Sequence, residues 1–270
     1  MGALGRADLR RQLGALGFDP PANILDSHPD VALTHESNVA HYLLLTHRLS
    51  YLPQLRTMQH GEFRLTGLIP EVYTKDFAEA ARDGLMFAWR DFYRRRFAGR
   101  PFRRWADKFQ FPEVVPDLVQ MFPRAHWVLI VRDGRDSALS GEKHHDKMRD
   151  RREADAPDMD FEDHCVYWAR LNRQLIDFLK PARQVLRVRY EDLVLHEPRT
   201  VAELLRFCEL SDDPAVHEFL TRKSGEVFAA HGTSKDPKSS IGRWRDALDE
   251  QQLAIVERTQ RAMLDELGYR

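Results

Sequence analysis

At 270 residues the chain is long enough for one substantial hydrophobic core or two modest ones. Its 41 basic and 42 acidic residues leave a net charge of −1, a balance that argues against a dedicated nucleic-acid binder. No apolar run approaches the ~18 residues of a membrane span, and the N-terminus lacks the apolar core of a signal peptide, so a cytoplasmic location is expected.

In chain order, residues 6–16 place Leu9, Leu13 and Leu16 on one helical face, and Gly17, Pro20 and Pro21 are expected to end that helix. Pro29-Asp30 reads as a turn and 31–33 as a brief extended segment. Ser37 suits the N-cap of a helix over 38–49. Glu36, just ahead of it, has two readings: a first-turn partner of the helix dipole, or a general base facing a cleft. Residues 76–97 predict a long helix with Phe77, Ala81, Leu85, Ala88 and Phe92 on its apolar side. The basic cluster Arg94, Arg95, Arg96, Arg100, Arg103 and Arg104 suits a solvated helix C-terminus. WADKF at 105–109 then precedes a Pro-initiated helix over 112–121.

The stretch HWVLIVRDGRDSALSGEKHH at 126–145 organises the rest. Residues 127–131 are apolar and β-branched, as in a buried parallel strand. The strand ends on Arg132, Asp133-Gly134 makes a turn, and 135–147 predicts a helix with Asp136 at its positive end. A strand, a basic turn and a helix N-terminus together suit an anion, and Ser140 lies eight residues beyond Arg132. A charged surface turn is the plainer alternative. The polar segment 146–160 reads as a mobile loop, and 161–179 as an amphipathic helix.

A second strand over 184–188 runs into Arg189-Tyr190-Glu191-Asp192-Leu193. Helices over 198–208 and 214–220 follow. The segment HGTSKDPKSS at 231–240 is a loop of the kind that closes over phosphate, and 249–267 is a closing helix. Strands alternating with helices predict an α/β fold with a parallel sheet. Cys165 and Cys208 fall within apolar helical patterns and are expected to be reduced core thiols.

Three other chemistries are weighed and disfavoured. His144 and His145 are adjacent on a helix and point ~100° apart, a poor geometry for chelation even with His35 or His164 as a third ligand. No G-x-S-x-G elbow supports a serine hydrolase. No Gly-rich loop with Lys-Ser/Thr supports a kinase.

From about residue 24 onward these segments, in this order, resemble sulfotransferases that use 3′-phosphoadenosine 5′-phosphosulfate (PAPS). ILDSHPDVAL with Glu36 resembles the segment after the family's phosphosulfate loop. DKFQFPEVVPDLVQMFPRAHWVLIVRDGRDSALS resembles its Lys-Thr-Pro strand and 3′-phosphate motif. VLRVRYEDLVLHEP resembles its Tyr-Glu-Asp-Leu turn, and SSIGRWRDAL with the final LDELGY its C-terminal signature.

The resemblance implies a single domain over 1–270 with a parallel sheet of the phosphate-loop nucleotide-hydrolase type. Arg132 and Ser140 would hold the 3′-phosphate and Tyr190 would pack near the adenine. Lys238, Ser239 and Arg243 would lie in the capping loop. Lys108 would neutralise charge on the transferring group, and Glu36 would be the base that deprotonates a hydroxyl acceptor. No metal is implied. The acceptor class and the oligomeric state, a homodimer included, stay open.

The chain departs from the family at its start. An Arg-Ser-Gly-Thr-Thr-like loop should precede Ile24, and GALGFDPPAN stands there instead, with no Thr pair, no basic side chain and two prolines that carry no amide hydrogen. The first strand and the phosphate loop are therefore expected to be missing, with residues 1–23 atypical, and PAPS binding is expected to be weak. Phe109 also stands where the family has Thr. A truncated record, a non-catalytic relative with a binding or assembly role, and a rearranged N-terminus are the alternatives.

Overall fold

The computed structural model describes residues 20–35, 75–108, 112–150, 159–195, 197–223 and 238–270. Glu36, the helices expected over 6–16 and 38–49, and most of the 231–240 loop lie outside the described residues. The chain falls into two compact units. One comprises Met1–His28, His126–Lys180 and Gln184–Arg270; the other comprises Pro29–Ala125 and Pro181–Arg183.

The second unit is built on a parallel pair, β1 (Val31–His35) and β2 (Arg104–Lys108), in which Val31 faces Arg104 and His35 faces Lys108. Val31, Ala32 and Leu33 are buried, so the apolar run of β1 is a core strand. The helix α2 (Lys75–Arg96) contributes Trp89 and Tyr93 to an aromatic cluster with Trp105 and Phe122. Ring centroids there are 4.9–6.0 Å apart, and each such pair adds ~0.5–1.5 kcal/mol beyond its buried area. The Tyr93 hydroxyl lies 2.5 Å from Thr34 Oγ1 and donates to the Ala106 carbonyl. Burial, reinforced by the charge of Asp107, pushes this phenol far above its ordinary range. A short helix α3 (Val115–Met121), entered through a 3₁₀ turn at Pro112–Val114, completes the described part of this unit.

The described part of the first unit begins with α1 (Pro20–Ser27), which opens on the two prolines expected to end the helix over 6–16, itself outside the described residues. Proline suits the first turn because its missing N–H would have no intrahelical partner there. Ala22, Ile24 and Leu25 bury the apolar side of α1. The parallel pair β3 (Trp127–Val131) and β4 (Val185–Arg189) follows, with Trp127 facing Val185 and Val131 facing Arg189. Helices α4 (Gly134–Asp150), α5 (Phe161–Leu179), α6 (Tyr190–Val194), α7 (Pro198–Phe207), α8 (Pro214–Glu218), α9 (Trp244–Ala247) and α10 (Glu250–Leu267) surround it.

Capping boxes at Asp160 with Asp163, and at Asp249 with Gln252, open α5 and α10. Gly268, at φ +77°, closes α10 in the left-handed conformation. The expected loop 146–160 needs correction at its start, because α4 continues through Asp150. Lys, Met and Arg at 147–149 are good helix formers, and no Gly or Pro interrupts the chain before Pro157.

The two parallel pairs flanked by helices give the α/β class read from the sequence. Among the described residues no strand joins β1–β2 to β3–β4. The segment before Ile24, where the first strand and its loop are expected to be missing, is helical from Pro20. No helix among the described residues is long and apolar enough to cross a membrane.

Both cysteines are free thiols, but only Cys165 is fully buried; Cys208 is partly exposed at the end of α7. Burial pushes the Cys165 thiol up to about 12. A thiol reagent such as Ellman's is therefore expected to label one equivalent at Cys208 under native conditions and Cys165 only after unfolding. Fast labelling of both in the folded protein would contradict this packing.

Candidate functional site

The five residues Arg132-Asp133-Gly134-Arg135-Asp136 turn from β3 into α4, and four of them are buried. The charged-surface reading of this turn does not hold. Asp133 and Arg135 form a forked ion pair, Nε to Oδ1 at 2.9 Å and Nη2 to Oδ2 at 2.7 Å. That pair leaves Arg132, half-exposed at the end of β3, as the charge that is not consumed by the turn itself.

The backbone around Arg132 is fixed from several directions. The Val131 carbonyl accepts from the Tyr269 hydroxyl at 3.2 Å, and the Arg132 carbonyl accepts from Trp168 Nε1 at 3.1 Å. The Asp133 N–H donates to Glu191 at 2.9 Å, and the Gly134 carbonyl accepts from Gln260 Nε2 at 3.1 Å. Tyr269 also donates to Glu191, at 2.8 Å. Burial, with the Glu191 charge beside it, raises the Tyr269 phenol well beyond its ordinary range, so it stays a donor. The C-terminal Leu-Gly-Tyr thus has a physical role. Gly268 ends α10, Arg189 donates to its carbonyl at 2.7 Å, and Tyr269 reaches the end of β3.

Four of the expected site residues converge on this rigid turn. Arg243 Nη2 donates to Ser140 Oγ at 2.7 Å and to the Asp136 carbonyl at 3.3 Å. Arg132 Nη2 donates to the Ser240 carbonyl at 3.1 Å, and its guanidinium lies over the Tyr190 ring, 4.5 Å from the centroid. The Tyr190 hydroxyl lies 3.4 Å from Ser240 Oγ. Tyr190 and Ser240 are both buried. Lys238 and Ser239, on the same 3₁₀ turn as Ser240, are exposed.

Sequence reasoning missed two members of the cluster. Ser240 sits at the end of the loop segment quoted above but was not singled out, because nothing in the sequence separates it from Ser239. Asp136 reads from the sequence as a helix-dipole partner. In the structure it is 1% exposed, and its two carboxylate oxygens accept the backbone N–H groups of Gly242 at 2.6 Å and Trp244 at 3.0 Å.

The electrostatics of the cluster favour an anion. Burial, and then the charge of Arg132, lowers the proton affinity of Arg243. A guanidinium stays charged even so, and the charge of Asp136 works against the fall. Arg243 Nε is buried with no hydrogen-bond partner among the described residues. Asp136 cannot supply that partner easily, since both its oxygens already accept amides. Two guanidinium groups, a hydroxyl and an unused buried donor match the forked, donor-rich recognition that a phosphate dianion requires.

Lys108 belongs to the other unit, where it ends β2 opposite His35. Glu36 follows His35 directly in the chain. His145 packs on His164, ring centroids 4.6 Å apart, and lies 6.0 Å from His144. No group of three or more His, Cys, Asp or Glu among the described residues is arranged to hold a metal ion.

A solved structure described as the sulfotransferase domain from the curacin biosynthetic pathway superimposes with a TM-score of 0.53 at 15% identity. It covers 92% of each chain, a likeness of fold alone. Protein-tyrosine sulfotransferase 1 of Danio rerio is 36% identical over 115 residues, 41% of this chain. That match spans 30% of the relative's own length. The sulfotransferase family profile matches residues 22–214, which hold β1, β2, the Arg132–Ser140 turn and Tyr190. With well over half of its length inside that profile, the chain belongs to the sulfotransferase family.

Proposed function

We propose that this protein binds PAPS by its 3′-phosphate at Arg132, Ser140 and Arg243, and transfers the sulfuryl group to a hydroxyl acceptor. The observation that carries the reading is Arg243 seated on Ser140, its Nε buried with no partner among the described residues and the Arg132 charge near enough to lower its proton affinity. PAPS, when bound, supplies an activated sulfuryl group. The residues fit its 3′-phosphate end, where Arg132 and Arg243 offer forks of donors and Ser140 a hydroxyl. Tyr190 fixes the Arg132 guanidinium from below and, from the family resemblance, borders the adenine. Lys238 and Ser239 belong to the turn that leads into this site.

Lys108 is assigned the neutralisation of negative charge spreading over the transferring group, a role worth ~10²–10³ in kcat for a single well-placed donor. Glu36 is assigned the removal of the acceptor's proton. The expected result is transfer of radiolabelled sulfuryl from PAPS to one member of a hydroxyl acceptor panel, a tyrosine peptide included. Lys108→Ala is expected to lower kcat by about 100-fold or more with little change in nucleotide affinity. Unchanged kcat in that variant would remove Lys108 from the reaction.

A second reading, a non-catalytic nucleotide-binding relative, is favoured by one observation. The helix α1 starts with Pro20 and Pro21, so two of its first-turn residues carry no amide hydrogen for a 5′-phosphosulfate. Nucleotide binding with no transfer to any acceptor in the panel would select this reading.

A further inference from the structure

We propose that Asp136 is the positioning residue of this site: its buried carboxylate locks the turn 242–244 so that the Arg243 guanidinium stays on Ser140. The inference rests on the reading of Arg132, Ser140 and Arg243 as a 3′-phosphate site.

Asp136 lies in the first turn of α4, where a carboxylate usually faces the free amides of its own helix. Here it does something else. Its Oδ2 accepts from the Gly242 N–H and its Oδ1 from the Trp244 N–H, 106 and 108 residues further along the chain. The two amides flank Arg243, so the carboxylate grips the residue that carries the guanidinium from both sides. Asp136 adds a third hold through its own backbone carbonyl, which accepts from Arg243 Nη2.

The turn is built on glycine: Gly242 sits at φ +70°, which glycine adopts freely and L side chains rarely do, and a Cβ there would lie 2.3 Å from Arg245 Nη1. The Arg135 guanidinium lies 3.8 Å from the centre of the Trp244 ring and braces the far side of the same turn. The buried Asp136 carboxyl is raised by desolvation, and the two amide bonds work against that rise. Without the clamp, Arg243 would visit its binding position for only part of the time, and apparent affinity would fall by that fraction.

The experiment compares Asp136→Ala and Asp136→Asn in the full chain. Both variants remove the charge, but only Asn keeps an oxygen that accepts an amide, so any difference between them reports the clamp rather than the field. Two readouts are taken: hydrogen exchange of the Gly242 and Trp244 amides without nucleotide, and calorimetric affinity for 3′-phosphoadenosine 5′-phosphate (PAP) against 5′-AMP.

Asp136→Ala is expected to lower protection at both amides at least about tenfold and to lose about tenfold in affinity for PAP relative to 5′-AMP. Asp136→Asn is expected to keep protection at one amide and to lose less affinity. Wild-type protection in Asp136→Ala, or identical behaviour of the two variants, would overturn the proposal. If the Ala variant does not fold, the Asn variant decides: loss of protection at one amide supports the clamp, and unchanged protection at both overturns it. Equal wild-type affinity for PAP and 5′-AMP would instead remove the 3′-phosphate reading, and the exchange rates would still decide the clamp.

Discussion

Arg132→Ala is expected to weaken PAP binding by about 100-fold and to leave 5′-AMP binding within about twofold of wild type. A hydrogen bond to a charged group contributes ~1.5–3 kcal/mol, and truncating one partner of a desolvated charge pair removes ~2–5 kcal/mol. A loss near 3 kcal/mol, or about 100-fold, lies where these ranges overlap. Arg132 has no carboxylate hydrogen-bonded to its guanidinium among the described contacts. Its Nη2 donates to the Ser240 carbonyl, and its face rests on Tyr190. Removing it withdraws a favourable charge from the buried Asp136 but relieves a repulsion on the buried Arg243, so the loss should fall on ligand affinity more than on folding. Arg132→Lys keeps the charge and loses the fork, and about tenfold weaker PAP binding is expected. Paired calorimetric titrations check both variants. Equal losses for PAP and 5′-AMP would mean that Arg132 does not read the 3′-phosphate.

Gly134→Ala is expected to be strongly destabilising. The sequence suggests that this glycine makes a turn, but the structure gives a different reason for it. Gly134 is the first residue of α4 and is absent from the left-handed glycines, which among the described residues are Gly99, Gly242 and Gly268. What it lacks is room. A Cβ would lie 2.6 Å from Gln260 Oε1, 2.7 Å from Trp168 Cε3 and 2.8 Å from Trp168 Cδ2.

Neither neighbour can withdraw cheaply. Trp168 is held by its bond to the Arg132 carbonyl, and Gln260 by its bond to the Gly134 carbonyl. Overpacking of this kind destabilises by ~1–3 kcal/mol. At the top of that range the midpoint falls by about 6–12 °C for a protein of this size. Gly84→Ala is the control: it sits on the exposed side of α2 with nothing within 4 Å of its Cβ, and should stabilise by up to ~1 kcal/mol. Thermal unfolding measures both. A Gly134→Ala midpoint equal to wild type would contradict the close packing of α4 against Trp168 and Gln260.

The parts of this protein that the sequence made legible are those whose signal is local. Residues 127–131 form the expected strand to the residue, since a β-branched apolar run between turn signals has few other ways to bury itself. Helix α5 begins at the expected Phe161 because Asp160 and Asp163 cap it within four residues. Helix α1 was not foreseen from the sequence: proline marks helix starts as well as helix ends, and the buried Ala22 and Leu25 that make it a core helix show only in three dimensions. WADKF gave no strand from its own residues, because Trp105–Lys108 is half-buried against an aromatic cluster supplied by α2.

The site divides along the same line. Arg132 and Ser140 are eight residues apart on one strand-turn-helix, so their placement at the two ends of that turn follows from local geometry. The part played by Arg243 depends on a clamp more than a hundred residues long, and neither Asp136 nor Ser240 differs in sequence from a surface residue of its type. Ser240 differs from Ser239 only in burial, 2% exposed against a neighbour open to solvent. Family resemblance supplied Lys238, Ser239 and Arg243 together; in the structure Arg243 touches Ser140, while Lys238 and Ser239 are exposed.

The central claim is that Arg132, Ser140 and Arg243 form a 3′-phosphate site, and a paired calorimetric titration of the wild-type chain with PAP and 5′-AMP tests it most directly. The two nucleotides differ only in the 3′-phosphate. PAP is expected to bind at least about 150-fold more tightly, since two charge-assisted contacts of ~1.5–3 kcal/mol each supply at least ~3 kcal/mol, and to lose most of that advantage in Arg132→Ala. Indistinguishable affinities for the two nucleotides in the wild-type protein would contradict the account.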